Sequence, residues 1–131
     1  MRKLKLGWVG SGFVGQVAHL VNYVEFPNVE IVGLAELRPK LGDRACRKYG
    51  ITQYYPDHIS LLEDPDIEAV VAVVRRKHTA PLAMDILNKG LHLFTEKPFA
   101  PTLEQGRKLV DVAKSNHCSY ITGYMRLHDE G

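Results

Sequence analysis

Cysteine is scarce in this sequence: 131 residues contain two, Cys46 and Cys118, far apart and without metal-ligand spacing. That excludes a disulfide framework and argues against a zinc site, so reduced thiols in a cytoplasmic protein are expected. An excess of one charge is also lacking. Seventeen Lys and Arg face fifteen Asp and Glu, and a net charge of +2 is too small to point to nucleic acid or a membrane surface, either of which asks for basic residues gathered on one face. No apolar run approaches the ~20 residues of a membrane span. The start, Met1-Arg2-Lys3-Leu4-Lys5, imitates a secretory signal, but spaced glycines interrupt the apolar stretch that follows and no good cleavage site comes after it. Repeats, low-complexity tracts and linkers are missing too. What is present, 45% hydrophobic and 24% charged residues, suits one globular domain with a real core.

The chain is organised around Gly10-Ser11-Gly12-Phe13-Val14-Gly15, set between the apolar run Leu4 to Val9 and a helical apolar pattern from Val14 to Val24. A strand that turns through glycines straight into a helix leaves unpaired N–H groups where a diphosphate can sit. The first glycine permits the turn, the second removes a side chain where phosphates approach, and the third lets the helix pack on its strand. A second apolar run, Val29 to Ala35, ends in Glu36, about twenty residues on, where an acid can accept hydrogen bonds from both ribose hydroxyls of an adenosine.

The rest alternates strand and helix. Val14, Val17, Ala18 and Val21 predict the core face of the first helix, which holds His19, read as a surface or packing residue. A helix runs from Pro39 to a stop at Gly50; Gln53 to Tyr55 is a short strand; Ile59 to Leu62 is a turn or two of helix. Ala69 to Val74, six consecutive apolar residues, predicts a central strand buried on both faces. Arg75-Arg76-Lys77-His78 reads as a loop, followed by a helix from about Pro81 to Asn88. Leu91 to Thr95 is a fifth strand, Thr102-Leu103-Glu104-Gln105 has the form of a capping box, and Tyr120 to Thr122 is a sixth strand. The result is an α/β fold, a doubly wound parallel sheet of the Rossmann type in the order 3-2-1-4-5-6. Ligands of such a sheet collect at the carboxyl ends of its strands, where the glycine turn, the Val74–His78 segment and Glu96-Lys97-Pro98 arrive together. There Lys97, kept off helical backbone angles by Pro98, is placed to exchange a proton with a reacting oxygen.

These segments, with Asp64-Pro65-Asp66-Ile67-Glu68-Ala69, Gly90 to Pro98 and Gly123-Tyr124-Met125-Arg126, resemble the nucleotide-binding half of the glucose-fructose oxidoreductase and inositol dehydrogenase family from about residue 4 to residue 128. Glu-Lys-Pro after a fifth strand is the most specific element. The resemblance implies hydride exchange between NAD, or possibly NADP, and a sugar, polyol or related carbonyl. It assigns the diphosphate to Gly10, Gly12, Phe13, Val14 and Gly15, with Val74 in the same site. It gives the adenosine ribose to Glu36 and proton transfer to Lys97, beside Glu96 at the nicotinamide ribose, and it places Arg126 near the nicotinamide. Glu36 repels the extra phosphate of NADP, whereas Arg38 can accommodate it. The family carries a Thr-Pro-Asn-like loop after its fourth strand, and a histidine where this chain has Thr79. Here the loop is Val74-Arg75-Arg76-Lys77, whose basic cluster either selects an anionic substrate or contacts phosphate, or is simply a solvated surface.

The same resemblance implies that residues 1–123 are an NAD(P)-binding domain and 124–131 the start of a connection to a second domain holding a catalytic Asp and His. This chain alone is then expected to bind dinucleotide and to turn over a sugar-like substrate poorly or not at all. A non-catalytic dinucleotide-sensing or scaffold module is the alternative. Without the second domain's open sheet the chain is expected to be monomeric or to associate through another surface, with Tyr124, Met125 and Leu127 as exposed apolar residues.

Overall fold

A computed structural model describes residues 2–124. Six strands, β1 (Leu4–Val9), β2 (Val29–Ala35), β3 (Gln53–Tyr55), β4 (Ala69–Ala72), β5 (His92–Glu96) and β6 (Tyr120–Gly123), form one parallel sheet in the order β3-β2-β1-β4-β5-β6. The order reverses between β1 and β4, so a crevice opens at their carboxyl ends. Right-handed crossovers put the first two helices on one face and the later ones on the other. Helix α1 is wound as π helix over Gly15–Leu20 and as α helix over Val21–Tyr23. With α2 (Pro39–Tyr49) it covers a core of Leu6, Trp8, Leu20, Leu34, Ala45 and Val71. Helices α3 (His58–Leu62), α4 (Arg76–Asn88) and α5 (Leu103–Ser115) cover the other, with Val70, Leu82, Ile86, Leu93 and Leu109.

Local chemistry explains most of the boundaries. Pro39 opens α2, and Gly50 ends it in the left-handed conformation at φ 69°, where a Cβ would be strained. The Asp57 carboxylate accepts from Ser60 N–H at 2.7 Å to start α3, and Thr102 Oγ1 accepts from Gln105 N–H at 3.2 Å to start α5. All four residues of β4 are buried, as a strand covered on both faces requires.

Three expectations need correction. Strand β4 stops at Ala72, leaving Val74 half-buried beyond the ladder. Helix α4 begins at Arg76, not near Pro81, so Arg75 is its N-cap and the basic cluster forms its first turn rather than a loop. Pro81 lies in the second turn, where its missing N–H deprives only the carbonyl of exposed Lys77, within reach of water. Burial of Thr79, Ala80, Leu82 and Ala83 on either side of the proline outweighs that loss. The third correction concerns α1, whose Val14, Val17, Ala18 and Val21 face solvent. Its buried residues are Gly15 and Leu20, five apart, because the i→i+5 winding of a π turn rotates the inner face away from the 3.6-residue register.

Among the described residues no helix is long and apolar enough to cross a membrane. Both cysteines are free. Of the apolar residues expected at the surface, Tyr124 is exposed, whereas Met125 and Leu127 lie outside the described residues.

Candidate dinucleotide site

The turn after β1 is held from three sides. Gly10 N–H donates to Ala35 O of β2 at 2.9 Å, and the indole N–H of fully buried Trp8 donates to Gly10 O, also at 2.9 Å. Val73 and Val74, just past the end of β4, close it from the third side, for a Cβ on Gly10 would run into the Val73 carbonyl oxygen and sit 3.2 Å from Val74 Cγ1. Gly10 adopts φ 92°, a conformation that side chains disfavour. At Gly15 a Cβ would lie 2.9 Å from Gly10 O, so that glycine permits the close approach of helix to strand. Gly12 differs from both: among the described residues beyond its chain neighbours, the one atom within 4 Å of its missing side chain is an Arg38 guanidinium nitrogen at 3.9 Å. The second glycine therefore leaves open space above the backbone.

That space is lined by donors. The first backbone bond of α1 is Gln16 N–H to Gly12 O at 3.0 Å, and among the described residues the N–H groups of Gly12, Phe13 and Val14 enter no backbone bond. Orphan N–H groups around a bare concavity suit an anion, and the positive end of the helix favours it further. The Phe13 and Val14 side chains themselves are exposed, so any hold they have on a ligand here would come from their backbone N–H groups.

Glu36, at the carboxyl end of β2, reaches across to the same turn. One carboxylate oxygen accepts from Ser11 N–H at 2.8 Å, from Ser11 Oγ–H at 2.9 Å and from Arg38 Nη2 at 3.3 Å; the other accepts from Arg38 N–H at 3.1 Å and Arg38 Nε at 2.8 Å. Tyr54 O–H donates to Glu36 O at 2.8 Å and fixes the backbone. Ser11 and Glu36 are buried, but the Arg38 side chain is 61% exposed. Burial pushes the Glu36 carboxyl up, and the hydrogen bonds from Arg38 and Ser11 more than reverse that, bringing it from 4.5 to about 2. A carboxyl depressed on folding stabilises the fold above the unfolded value of 4.5, and that contribution is lost as pH falls through about 2. Wild type is therefore expected to exceed Glu36→Gln in stability at pH 7 by an amount on the order of 3 kcal/mol, with the gap shrinking steadily below pH 4.5. Denaturant unfolding at a series of pH values checks this, and a gap independent of pH contradicts it.

On the other side of the crevice, β5 ends in Glu96. Its Oε1 lies 2.5 Å from His19 Nε2, and its Oε2 accepts from Lys97 N–H at 3.3 Å. Lys97 is exposed at the sheet rim and precedes Pro98 through a cis peptide bond. Arg75, Arg76 and Lys77 are exposed at the start of α4, at the positive end of that helix and with no acidic residue in its first turn. Arg126 lies outside the described residues. The sequence reading missed Trp8 and His19. A tryptophan in an apolar run gives no sign of where its N–H points, and only a wide helical turn carries His19 to β5. Among the described residues no group of three or more His, Cys, Asp or Glu is placed to hold a metal ion.

A hollow of about 800 Å³ lies elsewhere, lined by Lys3, Lys5, Glu30, Gly50 and Asp66 near the amino ends of β1 and β2. It sits at the opposite end of the sheet from the glycine turn, the end that such folds do not use for nucleotides.

Comparison with known proteins agrees with this geometry. The chain is 33% identical over 132 residues to inositol 2-dehydrogenase/D-chiro-inositol 3-dehydrogenase of Lacticaseibacillus casei, covering 98% of this chain and 38% of that protein. It is 29% identical to levoglucosan dehydrogenase of Pseudarthrobacter phenanthrenivorans, covering 95% and 34%. Among solved structures, scyllo-inositol dehydrogenase from Lactobacillus casei with bound NAD(H) and scyllo-inositol superposes at a TM-score of 0.89 with 24% identity, over 98% of this chain and 38% of that one. A 3-ketoreductase from Actinomadura kijaniata in complex with TDP-benzene and NADP also gives 0.89, at 23% identity, over 98% and 40%. The chain thus spans little more than a third of the length of these relatives. A model of the oxidoreductase family with NAD-binding Rossmann fold matches residues 4–124. With the glycine turn, the acid at the end of β2 and the strand order in place, the chain belongs to the Gfo/Idh/MocA oxidoreductase family and forms its NAD-binding Rossmann domain.

Proposed function

We propose that this chain is the cofactor-holding part of a dehydrogenase that exchanges hydride between a nicotinamide dinucleotide and a hydroxyl or carbonyl of a polyol or sugar. The observation that carries the reading is the pairing of an open, donor-lined turn at Gly12 with a carboxylate anchored to that turn through Ser11. The N–H groups of Gly12, Phe13 and Val14 would hold the diphosphate, and Glu36 the adenosine ribose. When bound, the dinucleotide supplies the hydride donor or acceptor. Lys97, at the carboxyl end of β5, would give or take the proton of the substrate oxygen, with Glu96 beside it. The names of the relatives, which act on inositols and on levoglucosan, support the substrate class. On this reading the isolated chain binds cofactor but is inactive, because positioning the substrate and completing the proton path fall to sequence that the relatives carry beyond the matched third.

Glu36 and Arg38 together bear on the choice of cofactor. The Ser11 bonds to Glu36 are buried, so ribose hydroxyls would take the places now held by the exposed Arg38 side chain. Released, the guanidinium is free to meet a 2′-phosphate, whereas the ionised Glu36 carboxylate repels it, so NAD is the preferred coenzyme and NADP the weaker one. Calorimetric titration of the chain with each dinucleotide tests the reading. Binding of NAD, reduced about tenfold or more in Glu36→Ala, is expected. Uptake of neither coenzyme refutes it.

A further inference from the structure

His19 has a place in the site that its sequence context does not suggest. Helix α1 lies over β1 and β4, and Leu20 packs with Trp8 and Val71 there. The neighbouring imidazole leaves that contact and crosses toward β5, meeting the Phe94 ring edge-on at 5.6 Å and donating from Nε2 to Glu96 Oε1 at 2.5 Å. Both side chains of the pair are mostly buried, at 17% and 24% exposure. Gly123 of β6 makes room for the carboxylate, since a Cβ there would sit 3.2 Å from Glu96 Oε1 and 3.1 Å from Phe94 Cζ. The π winding aims the ring: it turns Gly15 and Leu20 inward together and sets His19 beside them on the β5 side.

The direction of the dinucleotide follows from the sheet. With the adenosine ribose at the end of β2 and the diphosphate at the turn after β1, the second half of the molecule extends past β4 toward β5. β5 lies three strand spacings, about 14 Å, from β2. Glu96 is the carboxylate at the end of β5, as Glu36 is at the end of β2. We propose that His19 is a positioning residue, which holds Glu96 so that its carboxylate accepts the hydroxyls of the nicotinamide-side ribose while keeping its bond to the Lys97 backbone. This rests on the dinucleotide reading above. It adds a tie between the helix that receives the diphosphate and the loop that carries the lysine.

The test compares NADH, which reaches both ends of the crevice, with ADP, which reaches only the adenosine end, by calorimetry on the whole chain. His19→Ala is expected to weaken NADH about tenfold and to leave ADP within twofold. His19→Gln, which keeps an N–H near the position of Nε2, should restore most of the NADH affinity. The double variant His19→Ala/Glu96→Ala should bind NADH no more weakly than Glu96→Ala alone, as two residues acting as one unit require. Equal losses for ADP and NADH would mean that His19 merely packs α1, and an unchanged NADH affinity would mean that it does nothing for the site; either overturns the inference while leaving ADP binding by wild type, and the reading beneath it, intact. If wild type takes up neither probe, both fall together.

Discussion

Gly12→Val is expected to fold as wild type does and to lose dinucleotide binding by at least about 100-fold, or about 2.7 kcal/mol. Among the described residues the space above Gly12 holds only the exposed guanidinium of Arg38, so a side chain there meets no backbone and no core. On the proposed reading it would instead occupy the space beside the N–H groups of Gly12, Phe13 and Val14, which enter no backbone bond among the described residues, and so keep a diphosphate from them. Thermal melts and calorimetry on the same preparation separate the two effects. A normal melting curve with normal NADH affinity would show that phosphates do not approach over Gly12, and the assignment of the turn would be lost. A collapsed melting curve would show that Gly12 serves the fold.

Gly10→Ala is expected to do the reverse and damage the fold first. Gly10 has φ 92°, and its missing Cβ points at the Val73 carbonyl oxygen inside contact distance. Strain at such an angle combined with an overlap against the backbone just past the central strand β4 costs on the order of 3 kcal/mol. For a domain of this size that lowers the midpoint by roughly 10 °C. The penalty also spreads, because Gly10 O is the acceptor for the Trp8 indole and Gly10 N–H ties the turn to Ala35. Unfolding curves that overlay those of wild type would show that the turn relaxes without penalty, and would remove the argument that the first glycine is there for geometry. Two glycines two residues apart thus carry opposite predictions, one on binding and one on stability.

The contrast shows what kind of information each level holds. The ends of α2 and the start of α5 were legible because each depends on neighbours in sequence: Pro39 and Gly50 restrict their own backbone angles, and Thr102 reaches only three residues ahead. Strand order was legible because alternating strands and helices with right-handed crossovers leave few ways to wind the sheet. The Gly10 to Gly15 turn and the acid at Glu36 were legible for a related reason, since a strand, a turn and a helix of ordinary lengths bring them together whatever the rest of the chain does. Helix α4 was misplaced because Pro81 is a local signal, and burial of Thr79 and Ala80 is not. Helix α1 was turned the wrong way because apolar spacing assumes 3.6 residues per turn, whereas the helix here winds as a π turn.

By itself, then, the sequence determined the class of fold, the position of the glycine turn and the acid that follows β2, all of which are set by chain geometry within a few tens of residues. Only the tertiary structure decided that Arg38 already occupies Glu36, that Trp8 pins the turn and that His19 grips Glu96 from across the sheet. Those contacts depend on which side chains meet after β1, β2, α1 and β5 have packed. A hydrogen bond between residues 77 positions apart leaves no trace in the spacing of either.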